Sequence, residues 1–273
     1  PFFVKEQSLK KQILLTNDDG IGSPGLQAAA AALAKLGHVT VAAPNSHFSH
    51  FGRGFYHKAS GQIIQQTMPV NGENWTVYAV DGSPSQTLLV ALFEILPHGP
   101  DLVVSGINFG ENVSSDVTSS GTVGAALEGA SFGIPALAAS TQILQEEWDS
   151  YHADVDFAAA AYFTWYFASQ LLEKKMPFDV DVLNVTVPVS ATSQTPWRIT
   201  RLARERYYDP YIRRNGGWDS QADFSAHRQV LPSLGKDTDV HTAILDQVVS
   251  VTPLSLDSTS RVNFSELDQL LRK

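Results

Sequence analysis

Gln12-Ile13-Leu14-Leu15-Thr16, then Asn17-Asp18-Asp19-Gly20, then Ile21-Gly22-Ser23-Pro24-Gly25 and an alanine-rich run to Lys35: this stretch decides the fold. The unbroken apolar run Ile13, Leu14, Leu15 is what a strand covered on both faces requires; a half-exposed strand would alternate. Beyond it, Leu26 and Leu33 recur at helical spacing between Gly25 and Lys35, Pro24 stands where a helix start tolerates proline, and Gly37 is expected to close the helix as a C-cap. Strand, turn and helix in that order make half of a β-α unit, the building block of a parallel sheet flanked by helices.

Outward from there the alternation continues. Val39 to Ala43 reads as a second strand, followed by a long aperiodic segment from Pro44 to Ser60. Ile63 to Met68 and Trp75 to Val80 read as a hairpin turned by Asn71-Gly72. A helix over Ser85 to Leu96, a strand over Asp101 to Ser105, and a second long polar loop over Gly106 to Ser120 follow. Next come a helix over Thr122 to Phe132, a strand over Pro135 to Ser140 and a long aromatic-rich helix over Val155 to Leu172. The expected fold is α/β, Rossmann-like, with a mostly parallel sheet. After this the pattern changes: Val180 to Val187, Trp197 to Leu202 and Val248 to Leu254 are strand-like, Arg204 to Gly235 is polar and irregular, and a short helix begins at Ser265. No internal repeat is present.

Composition bounds the chemistry. Hydrophobic residues make up 43% of the 273 and charged residues 17%, a balance that sustains an ordinary core. With no cysteine, disulfides, thiolate metal sites and thiol nucleophiles are excluded. Pro1 to Lys11 holds no apolar run resembling a signal-peptide core, and no stretch approaches the roughly 20 apolar residues of a membrane span, so a cytoplasmic protein without a membrane partner is expected. A net charge of −9 with no basic run repels a nucleic-acid duplex. A small anion can still be held through a metal ion, often the largest local charge in a site.

Asn17-Asp18-Asp19-Gly20 follows the first strand, at the carboxyl end where open parallel sheets place their ligands. Adjacent carboxylates repel, and a cation is the natural way to neutralise them; oxygen donors of this kind suit Mg²⁺, Mn²⁺ or Ca²⁺. The alternative is an Asx-turn with Asp19 capping the helix. Gly20 to Gly25 also satisfies G-x-G-x-x-G, but the dinucleotide fingerprint requires an acidic residue about 20 positions on, and Ala43-Pro44-Asn45-Ser46 stands there instead. Asn108, after the strand Val103-Val104-Ser105, offers an amide oxygen to a hard metal or braces a turn. Ser119-Ser120-Gly121-Thr122 opens a helix whose hydroxyls and amides suit a phosphate, or form an ordinary N-cap. His47, His50 and His57 gather in the segment after the second strand, as substrate ligands, a proton donor or solvated loop residues.

Three segments together, NDDGIGSPG, APNSHFS and DLVVSGINFGENVSSDVTSSGTVGAALEGASFGIPALAAS, resemble the SurE family of stationary-phase survival proteins, and LNVTVP, ITRLARERYYDP and KDTDVHTAILDQVVSVTPL extend the resemblance over nearly the whole chain. The resemblance implies a metal-dependent phosphatase acting on nucleoside 5′- or 3′-monophosphates. It implies one Mg²⁺ or Mn²⁺ per subunit on Asp18, Asp19, Ser49 and Asn108, with Asp18, Asp19 and Asn108 catalytic and Asn17, Ser49, Ser120, Gly121 and Thr122 binding phosphate. Residues 1–190 are then the catalytic core, and 191–273 a β-rich extension used to form a homodimer or homotetramer. Two stretches depart from the family pattern: Phe48-Ser49-His50 replaces the usual Arg-Ser-Gly, and Gly82-Ser83-Pro84-Ser85-Gln86-Thr87 lacks the Asp and Cys common there. These leave open a phosphatase of short polyphosphate or another metabolite, or a nucleotide-binding homologue with weak turnover.

Overall fold

The computed structural model describes residues 10–144 and 155–272. Most of the N-terminal segment read above, residues 1–9, lies outside them. A nine-stranded sheet runs in the order β3-β4-β2-β1-β5-β6-β7-β11-β8. Its centre comprises β4 (Glu73–Val80), β2 (Gly37–Pro44), β1 (Lys11–Thr16), β5 (Leu102–Phe109), β6 (Ala136–Thr141) and β7 (Val182–Val187), all parallel. At the edges β3 (Ile63–Val70) and β11 (Val249–Leu254) run antiparallel to β4 and β7, and β8 (Trp197–Ile199) pairs with β11. The Rossmann-like α/β fold is as the sequence implies.

The apolar runs are continuous because both faces are covered. Ile13 and Leu15 of β1 pack into one layer with Leu26 and Leu33 of α1 (Pro24–Leu33) and Phe163 and Phe167 of α4 (Ala158–Glu173). Leu14 points the other way, into a layer with Leu88 of α2 (Pro84–Val90) and Val123 and Ala126 of α3 (Gly121–Ala130). From β1 the chain goes outward to β2 on one side and later returns to β5 on the other. The gap between the carboxyl ends of β1 and β5 is therefore the topological switch point where this architecture opens a crevice.

Several boundaries differ from expectation. The first helix is closed by Ala34 in right-handed helical conformation, and Gly37 is instead the first residue of β2. A Cβ on Gly37 would sit 2.2 Å from the Lys11 carbonyl oxygen, so its glycine serves the close approach of β2 to β1. α2 stops at Val90 and continues as a π-helical turn, Ala91–Ile95. β5 extends through Gly106-Ile107-Asn108 to Phe109, across a register shift against β6, where a loop was expected. The hairpin turn at Asn71-Gly72 forms as expected, with φ of 51° and 83°.

Arg204 to Gly235 is not irregular throughout. It contains an antiparallel hairpin, β9 (Tyr208–Arg214) with β10 (Ala222–Arg228), in register from Tyr208 opposite Arg228 to Arg214 opposite Ala222. A buried ion pair anchors its base. Arg228 Nε lies 2.9 Å from Glu111 Oε1, and Arg228 Nη1 donates to the Ile143 carbonyl at 2.7 Å. Glu111 also accepts from the Tyr207 hydroxyl at 2.9 Å; burial pushes its carboxyl up, opposed by Arg228. Removing one partner strands a buried charge, which costs about 3–5 kcal/mol. Arg228→Met is expected to lower urea-denaturation stability by about that amount, and Glu111→Gln in the same chain to restore most of it.

Candidate active site

The switch-point crevice is a cavity of about 320 Å³ lined by Asp18, His47, Ser49, Asn108, Ser120 and the hairpin residues Tyr208, Phe224 and Arg228, among others. Each strand or helix end delivers one part of it. β1 ends at Thr16, and the turn that follows is braced by Asn17, whose amide donates to the Gly20 carbonyl at 3.0 Å and accepts from the Gly20 N–H at 3.2 Å. Asn17 is wholly buried and is not among the cavity-lining residues. Its amide shapes the turn.

Asp18 is turned into the cavity wall and accepts a short hydrogen bond from the Thr122 hydroxyl at the start of α3. Thr122 is itself fully buried, so its hydroxyl orients Asp18 where a phosphate contact was expected. Asp19 Oδ2 accepts from the Phe109 N–H at 3.0 Å, tying the end of β1 to the end of β5, while its Oδ1 lies 3.9 Å from His47 Nε2. Asp19 does not cap α1; that position is Ser23. Asn108 donates its amide to the Gly110 carbonyl at 2.7 Å, which points the group and leaves its oxygen as the donor atom for a ligand.

α3 opens on Ser120, whose side chain accepts from the Val123 N–H at 3.1 Å. Ser120 is both the N-cap and a cavity residue. The first-turn amides of Gly121 and Thr122 have no intrahelical acceptor, and the helix dipole places partial positive charge beside Asp18.

The segment after β2 closes the third side. Phe48 N–H donates to the Asp18 carbonyl at 2.8 Å and Gly52 N–H to the Ser119 carbonyl at 2.9 Å. Phe48, Phe51 and Tyr56 pack edge to face, and the Gln86 amide accepts from Tyr56 N–H at 2.8 Å and donates to the Tyr56 carbonyl at 3.3 Å. These ties set Ser49 and His47 in hydrogen-bond contact with each other at the cavity. His50 also lines the cavity; His57 is not among the lining residues and packs against Tyr56.

The donor set fits a hard divalent cation. Two carboxylates, an amide oxygen and a hydroxyl are all oxygen donors. Burial first, and then the charge of Asp19, push the Asp18 carboxyl up to about 7, so the pair resists carrying two negative charges by itself. Among the described residues no three His, Cys, Asp or Glu side chains gather to hold a metal.

Glu111, Asp116, Ile143, Tyr208, Phe224 and Arg228 also line the wall and were not foreseen as site residues. Asp116 accepts from the Tyr207 and Tyr208 N–H groups at 3.3 and 3.2 Å, binding the hairpin base to the loop before α3. Only the polar length of the 110–120 and 204–235 segments signalled that they line anything.

A Rossmann-like sheet with paired carboxylates, an oriented asparagine and a helix N-terminus at its switch point defines a phosphate-handling α/β protein. Comparison narrows the class: the family model described as "Survival protein SurE" matches residues 13–209. This chain belongs to the SurE family. It is similar to the 5′-nucleotidase SurE of Methanosarcina acetivorans, 40% identical over 266 residues covering 95% of this chain and 97% of that protein. It is also similar to that of Thermococcus gammatolerans, 37% identical over 95% of this chain and 96% of the relative. The crystal structure of the SurE protein from Aquifex aeolicus superposes with a TM-score of 0.72 at 29% identity, covering 96% of this chain and all of that one. Among the described residues no helix is long and apolar enough to cross a membrane.

Proposed function

We propose that this chain is a metal-dependent phosphomonoesterase that hydrolyses nucleoside 5′-monophosphates to nucleoside and phosphate. The observation that carries the reading is Asp18, buried in the cavity wall with Asp19 next to it in the chain and bonded to the Thr122 hydroxyl at the open N-terminus of α3. The names of its relatives agree with it. Asp18, Asp19, Asn108 and Ser49 would hold one Mg²⁺ or Mn²⁺, which when bound supplies Lewis-acid polarisation of the phosphoryl group and offsets the carboxylate charge.

The protein's own groups do the remainder. Thr122 and the Phe109 amide fix the two carboxylates, and Asp18, facing the cavity, orients the attacking water and takes its proton. The Gly121 and Thr122 amides with the Ser120 hydroxyl stabilise negative charge on the phosphoryl oxygens. His47 and His50, which line the cavity beside Ser49, are the candidates to pass a proton to the departing sugar oxygen. Exposed apolar side chains support assembly into a homodimer or homotetramer: Trp218 at the hairpin tip, and Phe264, Leu270 and Leu271 on α5 (Phe264–Leu271), a helix with no buried residue.

The test is a phosphate-release assay on EDTA-dialysed protein, with Mg²⁺ or Mn²⁺ added back, across nucleoside monophosphates, short polyphosphate and sugar phosphates. Nucleoside monophosphates should be the best substrates, with metal raising turnover by about 100-fold or more. Undiminished activity in EDTA, or preference for polyphosphate, would overturn the reading.

A further inference from the structure

The cavity has two chemically different ends. Asp18 stands at the end of β1 and Ser120 at the start of α3; Ile143 follows β6, where Arg228 of the hairpin fastens onto its carbonyl at 2.7 Å. Between β1 and β6 lies only β5. Two strand spacings, about 10 Å, therefore separate the carboxylate end from the hairpin end, the reach of a ribosyl phosphate. At the hairpin end the lining includes Ile143, Tyr208 and Phe224. Tyr208 is held by its hydroxyl, which donates to the Glu111 carbonyl at 3.0 Å. Phe224 is 78% exposed on β10, opposite Ile212, and nothing in the core accounts for an aromatic ring there.

We propose that Phe224, with Tyr208 and Ile143, forms the nucleobase subsite, contributed by the hairpin and resting on the nucleotidase reading above. Arg228 is engaged with Glu111 and the Ile143 carbonyl, and the Tyr208 hydroxyl with the Glu111 carbonyl, while the buried amide nitrogen of the lining residue Asn112 has no hydrogen-bond partner among the described residues. Recognition is then carried mainly by ring contact, with the Asn112 amide as a donor available to a base edge. Stacking tolerates any base and favours the larger ones, so purine nucleotides should be preferred over pyrimidine nucleotides by a few-fold.

The test compares AMP with ribose 5-phosphate, which presents the same phosphate without a base, using the full chain loaded with Mn²⁺. Phe224→Ala should lower kcat/KM for AMP about 10-fold, mainly through KM, and leave ribose 5-phosphate unchanged; Phe224→Trp should retain the AMP rate. Because Phe224 is exposed, the substitution leaves the core intact, and an unchanged thermal transition verifies that. Equal losses on both substrates, or an unchanged AMP rate, would overturn the subsite. Wild-type protein that hydrolyses both equally well would refute the subsite and leave the phosphatase standing. Hydrolysis of neither would remove the phosphatase reading and the subsite with it.

Discussion

Asp18→Asn is expected to lower kcat for nucleoside monophosphates by about three orders of magnitude, some 4 kcal/mol of barrier, while the protein stays folded. The side chain is 3% exposed, its place is fixed by Thr122, and the amide is nearly isosteric with the acid, so charge is almost all that changes. Stability provides an independent readout. In the folded, metal-free chain burial and then Asp19 push the Asp18 carboxyl from 3.8 up to about 7. Between those values the folded state keeps a proton that the unfolded state has released. Metal-free wild type must therefore lose stability as pH rises through that window, and the loss is absent in the variant. At pH 7.5 in EDTA, Asp18→Asn should resist urea better than wild type by a few kcal/mol; saturating Mg²⁺ should reverse the order. A variant with wild-type turnover would remove Asp18 from the chemistry.

The second large effect is on stability. An alanine at Gly25 would place its Cβ 2.0 Å from the Ile107 carbonyl oxygen and 3.0 Å from the Phe157 ring. Neither side can yield cheaply. α1 packs against α4, and β5 is hydrogen-bonded between β1 and β6. Overpacking of this kind costs about 3 kcal/mol, occasionally more. Gly25→Ala should shift the urea midpoint accordingly. Because Ile107 precedes Asn108, it should also depress activity in conditions where the protein remains folded. Gly22→Ala is the control: a Cβ there meets nothing within 4 Å, and a near-neutral result is expected. Equal behaviour of the two variants would refute the close approach.

What was legible in the sequence follows from range. The central strands announce themselves because both faces are covered, and Asn71-Gly72 because a tight hairpin needs positive φ at both residues. Asp18, Asn108 and Ser120 were findable as site candidates because strand ends and helix starts are read locally and the fold class says where such ends converge, whereas Ser49 was named only through the resemblance to the family. Gly37 was misread because a backbone approach to Lys11 leaves no local trace. The β9-β10 hairpin escaped notice because it is largely exposed and lacks an alternating apolar face. Arg228 and Glu111 lie 117 positions apart, and the wall they build exists only after folding. Asn17 and Thr122 were placed correctly along the chain, but the direction of their side chains depends on neighbours that sequence order does not reveal.

The two stretches in which this chain departs from its family pattern are joined through Tyr56, whose ring packs on Phe48 and whose backbone bonds the amide of Gln86. That group accepts from one side of Tyr56 and donates to the other, at 2.8 and 3.3 Å, while its oxygen also receives the Ser83 N–H at 3.1 Å. An ionised aspartate, the residue common there in the family, can only accept, and would face the Tyr56 carbonyl with like charge. The histidine-bearing segment after β2 and the start of α2 are therefore one interlocked part. A chimera that borrows one from a relative without the other is expected to carry a mismatched joint beside its active site.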